Sequence, residues 1–134
     1  MRVTVPRLVV AGLSGDSGKT LVSLGIARAL ADRGVKVRPF KKGPDYIDTA
    51  WLGVAARSTC RNLDTFLMKD EAMASSLATA AGDADLILVE GNRGLFDGVD
   101  VEGSHSTAML ARRLAAPVVL VLDCTKMTRT AAAM

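Results

Sequence analysis

The 134-residue sequence predicts an α/β domain in which helices cover both faces of a doubly wound, mostly parallel sheet. Its predicted strands are short, continuous apolar runs, as expected for strands that are buried on both faces. These runs alternate along the chain with segments of helical periodicity, which is the order of elements that builds a parallel sheet. Polar residues collect directly after the runs, at the edge where parallel sheets bind ligands.

Each strand is predicted from one apolar run, and the runs cover Arg7–Gly12 and residues 35–40, 85–90 and 118–123. The first, third and fourth runs predict buried strands. Pro39 lies near the end of the second run. Because proline cannot donate a hydrogen bond to a neighbouring strand, it predicts an edge strand or a strand terminus there.

Helices are predicted where apolar residues recur three or four positions apart, and these segments cover residues 20–33, Asp70–Ala81, a stretch ending at Ala115, and 128–134. Gly34 ends the first helix. Ser104 or Ser106 caps the third, and Pro117 follows its end. The last segment is only the start of a helix.

The composition excludes several classes of protein. Aromatic residues make up 4% of the chain, and the net charge of +3 includes no long basic run, so no nucleic-acid surface is expected. No apolar run approaches the length of a membrane span and no signal peptide is visible, so the expected location is the cytoplasm. Cys60 and Cys124 lack the spacing of a metal site, and Cys60 is interpreted as a small apolar residue.

The most informative motif is a glycine-rich loop between the first strand and the first helix. Residues 12–20 read GLSGDSGKT, which departs from the Gly-x4-Gly-Lys spacing of a phosphate loop because Leu13 takes the first glycine position. Backbone N–H groups of such loops surround phosphate oxygens at a helix N-terminus. We therefore predict nucleotide binding through Ser14, Gly15, Asp16, Ser17, Gly18, Lys19 and Thr20.

Charged residues follow two further strands at the same predicted edge. Glu90 ends the third strand, where a carboxylate can complete the coordination of a Mg²⁺ ion bound by the Thr20 hydroxyl. The second strand leads into KKGPDYIDTAW, residues 41–51, which is predicted to be a loop. Its lysines suit a transferring phosphoryl group and its carboxylates suit a metal ion. A charged surface turn is the alternative interpretation.

Together the motifs resemble those of one family. GLSGDSGKT, PFKKGPDYIDTAW, RNLDTFLM, LVEGNRGLFDG and STAMLARRLAAPVVLVLD follow one another as in the N-terminal synthetase domain of the cobyrinate a,c-diamide synthases. The resemblance covers nearly the whole chain. It departs at Lys42, where a small apolar residue is frequent, and at His105, just before the Ser-Thr-Ala start of a helix.

The resemblance implies a phosphate-loop NTPase fold of the dethiobiotin-synthetase-like type. It implies a ligase that uses ATP and Mg²⁺ to amidate two side-chain carboxylates of cobyrinate or a related tetrapyrrole. Each carboxylate would become an acyl phosphate, which ammonia derived from glutamine would then attack. A carboxylate needs this activation because its oxygen is a poor leaving group, and the protein mainly positions the groups and neutralises charge.

Residue roles follow from the matching motifs. Catalysis is assigned to Lys41, Asp48 and Glu90. Coordination of Mg²⁺ is assigned to Thr20, Asp48 and Glu90, with Asp45 as a further candidate. Contact with the substrate is assigned to Tyr46, Asp64 and Asp97.

The resemblance also implies that residues 1–134 are the N-terminal part of the synthetase domain, without the C-terminal glutamine amidotransferase domain. Two alternatives stay open. One is a regulatory ATPase of the partitioning type, although such proteins carry a signature lysine where this chain has Ser14. The other is an inactive truncated remnant. An incomplete sheet exposes an edge, which leaves a homodimer open.

Overall fold

The sheet has five strands and is parallel throughout. The computed structural model describes residues 4–134. The strands lie in the order β3-β2-β4-β1-β5, and every neighbouring pair is parallel. Their bounds are Arg7–Gly12 for β1, Val37–Lys42 for β2, Arg61–Leu63 for β3, Leu86–Gly94 for β4 and Val118–Val121 for β5. The predicted α/β class and parallel sheet are confirmed.

Four helices cover the sheet, two on each face, and a short fifth follows β5. Their bounds are Lys19–Asp32 for α1, Ile47–Ala56 for α2, Asp70–Ala81 for α3, Thr107–Leu114 for α4 and Thr130–Ala133 for α5. The prediction for α3 agrees at both ends. Ser106 is the N-cap residue of α4, and its Oγ accepts a hydrogen bond from the N–H of Met109.

The two faces of the sheet have separate hydrophobic cores. Val10, Val37 and Leu88 pack with residues of α1 and α2 on one face. Val9, Phe40 and Val89 pack with residues of α3 and α4 on the other. Consecutive residues of one strand therefore enter different cores, as the alternation of side chains along a strand requires. This explains why the strands are apolar at every position.

One helix and one strand were not predicted. Residues 41–51 were predicted to be a loop, but α2 begins inside this segment at Ile47. Ile47, Trp51 and Val54 recur at helical spacing but are exposed, and only Leu52 and Ala56 of this helix are buried. The most visible apolar pattern therefore does not mark the face that packs on the sheet. β3 has only three residues and pairs with the last three of β2. An element that short carries no periodicity.

The prediction from Pro39 is wrong. β2 lies between β3 and β4 and continues to Lys42, so it is neither an edge strand nor ended by the proline. β3 pairs with β2 only from Phe40 onward. Pro39 is therefore tolerated because it precedes the part of β2 that has neighbours on both sides.

β5 is also less buried than predicted. Val118, Val119 and Leu120 are 38%, 37% and 39% exposed. Within residues 4–134, β5 pairs with β1 alone and lies at the edge of the sheet. An apolar run indicates that a strand is suited to burial, but it does not show which strands lie beside it.

Within residues 4–134, no helix is long and apolar enough to cross a membrane.

Candidate functional site

A cavity of about 560 Å³ opens at the carboxyl ends of β1, β2 and β4. We call it the first cavity. It brings together residues of the glycine-rich loop, α2 and two strand ends. Its lining residues are Gly15, Asp16, Ser17, Gly18, Lys19, Thr20, Leu21, Lys41, Asp45, Asp48, Glu90, Asn92 and Arg93.

The glycine-rich loop forms one wall of this cavity. Gly18 has a φ of 86° and immediately precedes α1, a backbone conformation that other residues adopt only with strain. Gly12 ends β1 where the loop folds back, and a Cβ there would lie 2.0 Å from the Ser17 Oγ. The two glycines let the backbone turn tightly into the N-terminus of α1. This is the geometry that exposes N–H groups to an anion.

Lys19 lies beneath the loop and is 7% exposed. Its Nζ donates hydrogen bonds to the Ser14 carbonyl oxygen at 2.7 Å and to the Ser17 Oγ at 3.4 Å. Burial, and next the positive charge of Lys41, lower the pKa of the Lys19 amine, against the opposing effect of Glu90. An anion in the loop would stabilise the charged form.

Lys41, Asp48 and Glu90 meet on the opposite wall. The Lys41 Nζ lies 2.8 Å from the Asp48 Oδ2 and 2.8 Å from the Glu90 Oε1. The Thr20 hydroxyl donates to the Glu90 Oε1 at 2.6 Å and lies 3.4 Å from the Asp48 Oδ2. Glu90 is fully buried, and its Oε2 has no hydrogen-bond partner within residues 4–134. Four of the five side chains assigned to catalysis or to the metal, Thr20, Lys41, Asp48 and Glu90, are therefore in contact.

Strand register explains this contact. Lys41 and Glu90 are directly paired between β2 and β4. Asp48 comes from the first turn of α2, where a helix favours a negative charge. Burial alone would lower the pKa of Lys41, but its hydrogen bonds with Asp48 and Glu90 and their charges outweigh burial, so the pKa is raised. Lys41 is held as an ammonium.

Asp45, the further metal candidate, lies just before α2 and lines the first cavity. Its Oδ1 accepts a hydrogen bond from the backbone N–H of Asp48 at 2.9 Å. Asn62 of β3 fixes the preceding turn, because its Nδ2 donates to the carbonyl oxygens of Gly43 at 2.6 Å and Asp45 at 2.8 Å. Asn62 was not singled out from the sequence. The only signal was its place inside the motif RNLDTFLM.

An irregularity in β4 forms a further wall of the first cavity. Val10 pairs with Glu90 and Gly12 with Gly94, so two steps along β1 correspond to four along β4. The extra residues bulge from the sheet, and Arg93 has a φ of 50°. Such bulges redirect side chains near functional sites. Asn92 and Arg93 were missed as individual residues, although the motif EGNRG contains them.

The residues assigned to the substrate lie outside the first cavity. Asp64 and Asp97 line a second cavity of about 300 Å³, together with Lys42, His105 and the shared residues Asn92 and Arg93. Tyr46 is 81% exposed and lines a third cavity of about 340 Å³ beside Pro44. The structure thus brings Asp64 and Asp97 together and leaves Tyr46 apart from them.

The oxygen ligands around Thr20 do not form a closed metal cage. Within the described residues, no group of three or more histidine, cysteine, aspartate or glutamate side chains could hold a metal ion. A site built from one hydroxyl and one or two carboxylates is instead the kind in which Mg²⁺ keeps water and phosphate ligands.

The sequence matches the model of the CbiA family, the CobQ/CobB/MinD/ParA nucleotide binding domain, over residues 8–134. The chain belongs to this family. The match identifies the glycine-rich loop and α1 as part of a CbiA-type nucleotide-binding domain. The nucleotide binding predicted from the motif is thereby supported, and the fold and family predictions are confirmed.

Curated relatives of this CbiA-family chain are named for one type of reaction. The cobyrinate a,c-diamide synthase of Magnetococcus marinus is 48% identical over 132 residues, which are 98% of this chain and 28% of that protein. The cobyrinate a,c-diamide synthase of Syntrophotalea carbinolica is 46% identical over 133 residues, 98% of the chain and 29% of the relative.

A third relative is named for hydrogenobyrinate instead of cobyrinate. The hydrogenobyrinate a,c-diamide synthase of Streptomyces coelicolor is 45% identical over 131 residues, 97% of this chain and 27% of that protein. The chain therefore spans less than a third of the length of these relatives.

Proposed function

We propose that this chain is the part of an ATP-dependent a,c-diamide synthase that activates carboxylates of cobyrinate or a related tetrapyrrole. The observation that carries the proposal is the Lys41 ammonium held between Asp48 and Glu90, across one cavity from the glycine-rich loop. A fixed positive charge there is suited to a phosphoryl group in transfer. The names of the relatives supply the reaction type.

ATP is the proposed nucleotide, and Lys19 is its main phosphate contact. In the structure the Lys19 Nζ is bonded to the Ser14 carbonyl oxygen and Ser17 of its own loop. We expect phosphate oxygens to replace these neutral acceptors, because a bond between two charged groups is stronger. The loop backbone from Ser14 to Gly18 would surround the same phosphates.

The residues present suit Mg²⁺. The Thr20 hydroxyl, Asp48 and Glu90 carry oxygen atoms of the type this ion prefers, and the buried Glu90 Oε2 has no hydrogen-bond partner in the described part of the chain. Asp45 lines the same cavity as a further candidate. When bound, Mg²⁺ would neutralise charge on the β- and γ-phosphates of ATP.

The proposed reaction has two steps. In the first, a substrate carboxylate oxygen forms a bond to the γ-phosphorus of ATP, the bond to the β-phosphate oxygen breaks, and ADP leaves. In the second, ammonia forms a bond to the acyl carbon and phosphate leaves, which produces the amide. Lys41 would stabilise the charge on the transferring phosphoryl group, and Asp48 and Glu90 would hold Lys41 in position.

Ammonia from glutamine is part of this proposal. We assign its production to a glutamine amidotransferase domain outside residues 1–134, so that the present chain uses free ammonia in an assay. The reaction is expected to occur in the cytoplasm.

The test is ADP release by the 134-residue chain with ATP, Mg²⁺, ammonium and cobyrinate. We expect release to require cobyrinate and to fall by about a hundredfold or more in Lys41→Met and Lys19→Ala, since each removes a charge from the transition state. Lys36→Met is the matched control, because Lys36 is exposed at the opposite end of β2 and should leave the rate unchanged.

ATP hydrolysis that is indifferent to every tetrapyrrole tested would contradict the proposal and favour the regulatory ATPase. Binding of ATP without any ADP release would favour the inactive remnant.

A further inference from the structure

Two consecutive lysines, Lys41 and Lys42, end β2, and their side chains lie on opposite faces of the sheet. Lys41 lines the first cavity, on the face covered by α1 and α2. Lys42 lines the second cavity, beside Phe66 and His105 on the other face. Adjacent residues of a strand point to opposite faces, so this division follows from the extended backbone.

The environments of the two ammonium groups differ. Lys41 has two carboxylates at 2.8 Å. Lys42 is 8% exposed, yet within residues 4–134 its amine takes part in no hydrogen bond or ion pair. Burial lowers the pKa of Lys42, and the more distant charge of Asp64 only partly opposes this effect. The Lys42 ammonium is therefore a partly desolvated cation that is reached from the second cavity, and an anion that enters this cavity would stabilise its charge.

The carboxylates of the second cavity are engaged by the backbone. The Asp64 Oδ1 accepts the N–H groups of Phe66 at 2.8 Å and Leu67 at 3.0 Å. The Asp97 Oδ2 accepts the N–H of Gly94 at 2.8 Å. Both side chains therefore stabilise loops, and neither neutralises Lys42 directly.

Arg93 adds a second cation without a partner. It lies in the bulge of β4, and within the described residues its guanidinium makes no hydrogen bond or ion pair. With Asn92, Arg93 lines both cavities and forms the wall between them. The remaining ionisable group, His105, has its Nδ1 3.0 Å from the Thr65 Oγ1. The free donors of the second cavity are thus suited to an anion.

We propose that Lys42 binds a second carboxylate of the substrate in the second cavity while a first carboxylate reacts in the first cavity. This inference rests on the proposed function, in which the substrate carries two carboxylates for amidation. Because Asn92 and Arg93 line both cavities, the cavities are adjacent, and one large substrate would extend into both. Lys42 would then select substrates that carry a second anionic group at the right distance.

Binding of cobyrinate to the 134-residue chain, measured by calorimetry with a non-hydrolysable ATP analogue present, tests this role. Lys42→Met should weaken cobyrinate binding by about tenfold to a hundredfold, as expected when a charged hydrogen bond is lost. Lys42→Arg should retain most of the affinity, and Lys36→Met should retain all of it. Affinity for the ATP analogue should be unchanged in all three.

Equal cobyrinate affinity in Lys42→Met and the parent chain would overturn the inference and leave the proposed function intact. A second effect separates binding from a structural role. Without ligand, Lys42→Met should raise the urea midpoint of unfolding, because burial of the side chain disfavours the charged form of Lys42 and methionine is an apolar side chain of similar length. A lysine needed only for folding would lower it.

Acetylation of Lys42, quantified by mass spectrometry, provides a measurement that does not depend on the tetrapyrrole assignment. Cobyrinate and the simple dicarboxylate glutarate should each slow acetylation at Lys42 but not at Lys36. Protection by glutarate alone would support the carboxylate site and contradict the proposed tetrapyrrole substrate. Protection by neither compound would overturn the inference.

Discussion

Lys41 connects three elements at one point. Its ammonium joins β2, where it resides, to Glu90 at β4 and to Asp48 in the first turn of α2. Glu90 is fully buried, and among residues 4–134 its side-chain partners are Lys41 and the Thr20 hydroxyl. The chemistry of the first cavity and the stability of the strand ends are therefore coupled through the same side chains.

Lys41→Met should lower the free energy of unfolding by about 3–5 kcal/mol, because it leaves a buried carboxylate without its cation. The double variant Lys41→Met/Glu90→Gln should lose less than the sum of the single losses. Since the pKa of Lys41 is raised, its contribution is complete at neutral pH and is lost only as the pH rises through that raised value. Urea denaturation of Lys41→Met, Glu90→Gln and the double variant measures these losses. Strictly additive losses would contradict the coupling between Lys41 and Glu90.

The two cysteines should differ in reactivity. Burial raises the pKa of the Cys60 thiol to about 12, against a weaker opposing effect of Thr49, whereas Cys124 is exposed. Since the thiolate is the reactive form, a thiol reagent such as iodoacetamide should label Cys124 first at mildly alkaline pH. Peptide mapping distinguishes the sites. Faster labelling of Cys60 would mean that its surroundings are more open than the structure indicates.

At the scale of elements, α4 supports the bulge of β4. The Thr107 hydroxyl donates to the Asn92 carbonyl oxygen at 3.2 Å and accepts from the Asn92 N–H at 3.2 Å. Thr107 directly follows Ser106, the cap of α4. The wall between the two cavities therefore depends on where this helix begins.

Ser106→Ala should lower the free energy of unfolding by about 1 kcal/mol, because the N–H of Met109 loses its acceptor. It should also weaken binding in both cavities by disturbing Asn92. Ser75→Ala, at an exposed position within α3, is the control and should be close to neutral. Thermal unfolding of both variants measures the difference, and equal midpoints would show that the cap contributes nothing.

Elements with a local signal were predictable from the sequence. α3 has three buried residues at helical spacing, Met73, Leu77 and Ala80, and its predicted bounds are confirmed. The serine cap and the following proline predicted α4 in the same way. In contrast, α2 exposes Ile47, Trp51 and Val54 and buries only Leu52 and Ala56, and β3 is recognisable only from its pairing with β2. Their formation depends on tertiary contacts that no local pattern contains.

At the scale of the whole molecule, the sheet leaves an apolar edge. The side chains of Val118, Val119 and Leu120 in β5 are more than a third exposed. An exposed apolar edge strand is a site for pairing with another chain.

We therefore expect the 134-residue chain to associate with itself as its concentration rises, and Val119→Lys to reduce this association. Val54→Lys is the matched control on the exposed face of α2. Static light scattering over a range of concentrations distinguishes the variants. A monomer at all concentrations would contradict the expectation, and a larger effect of Val54→Lys would locate the contact at α2 instead.

The sequence predicted which edge of the sheet carries the site, because parallel strands bring their carboxyl ends together. It could not show that Lys41 lies opposite Glu90, since that pairing depends on β4 lying between β1 and β2. For the same reason, the sequence could not show that Asn92 and Arg93 line both cavities. A bulge is defined by two strands in register, and one strand alone does not reveal it.

The division of Lys41 and Lys42 between two cavities restricts how the chain can change in length. Inserting or deleting a single residue within β2 would rotate every later side chain to the other side of the sheet. Lys41 would then no longer lie opposite Glu90, and an adjacent residue of β2 would occupy its position beside this carboxylate. The number of residues in β2 is therefore fixed by the two lysines together.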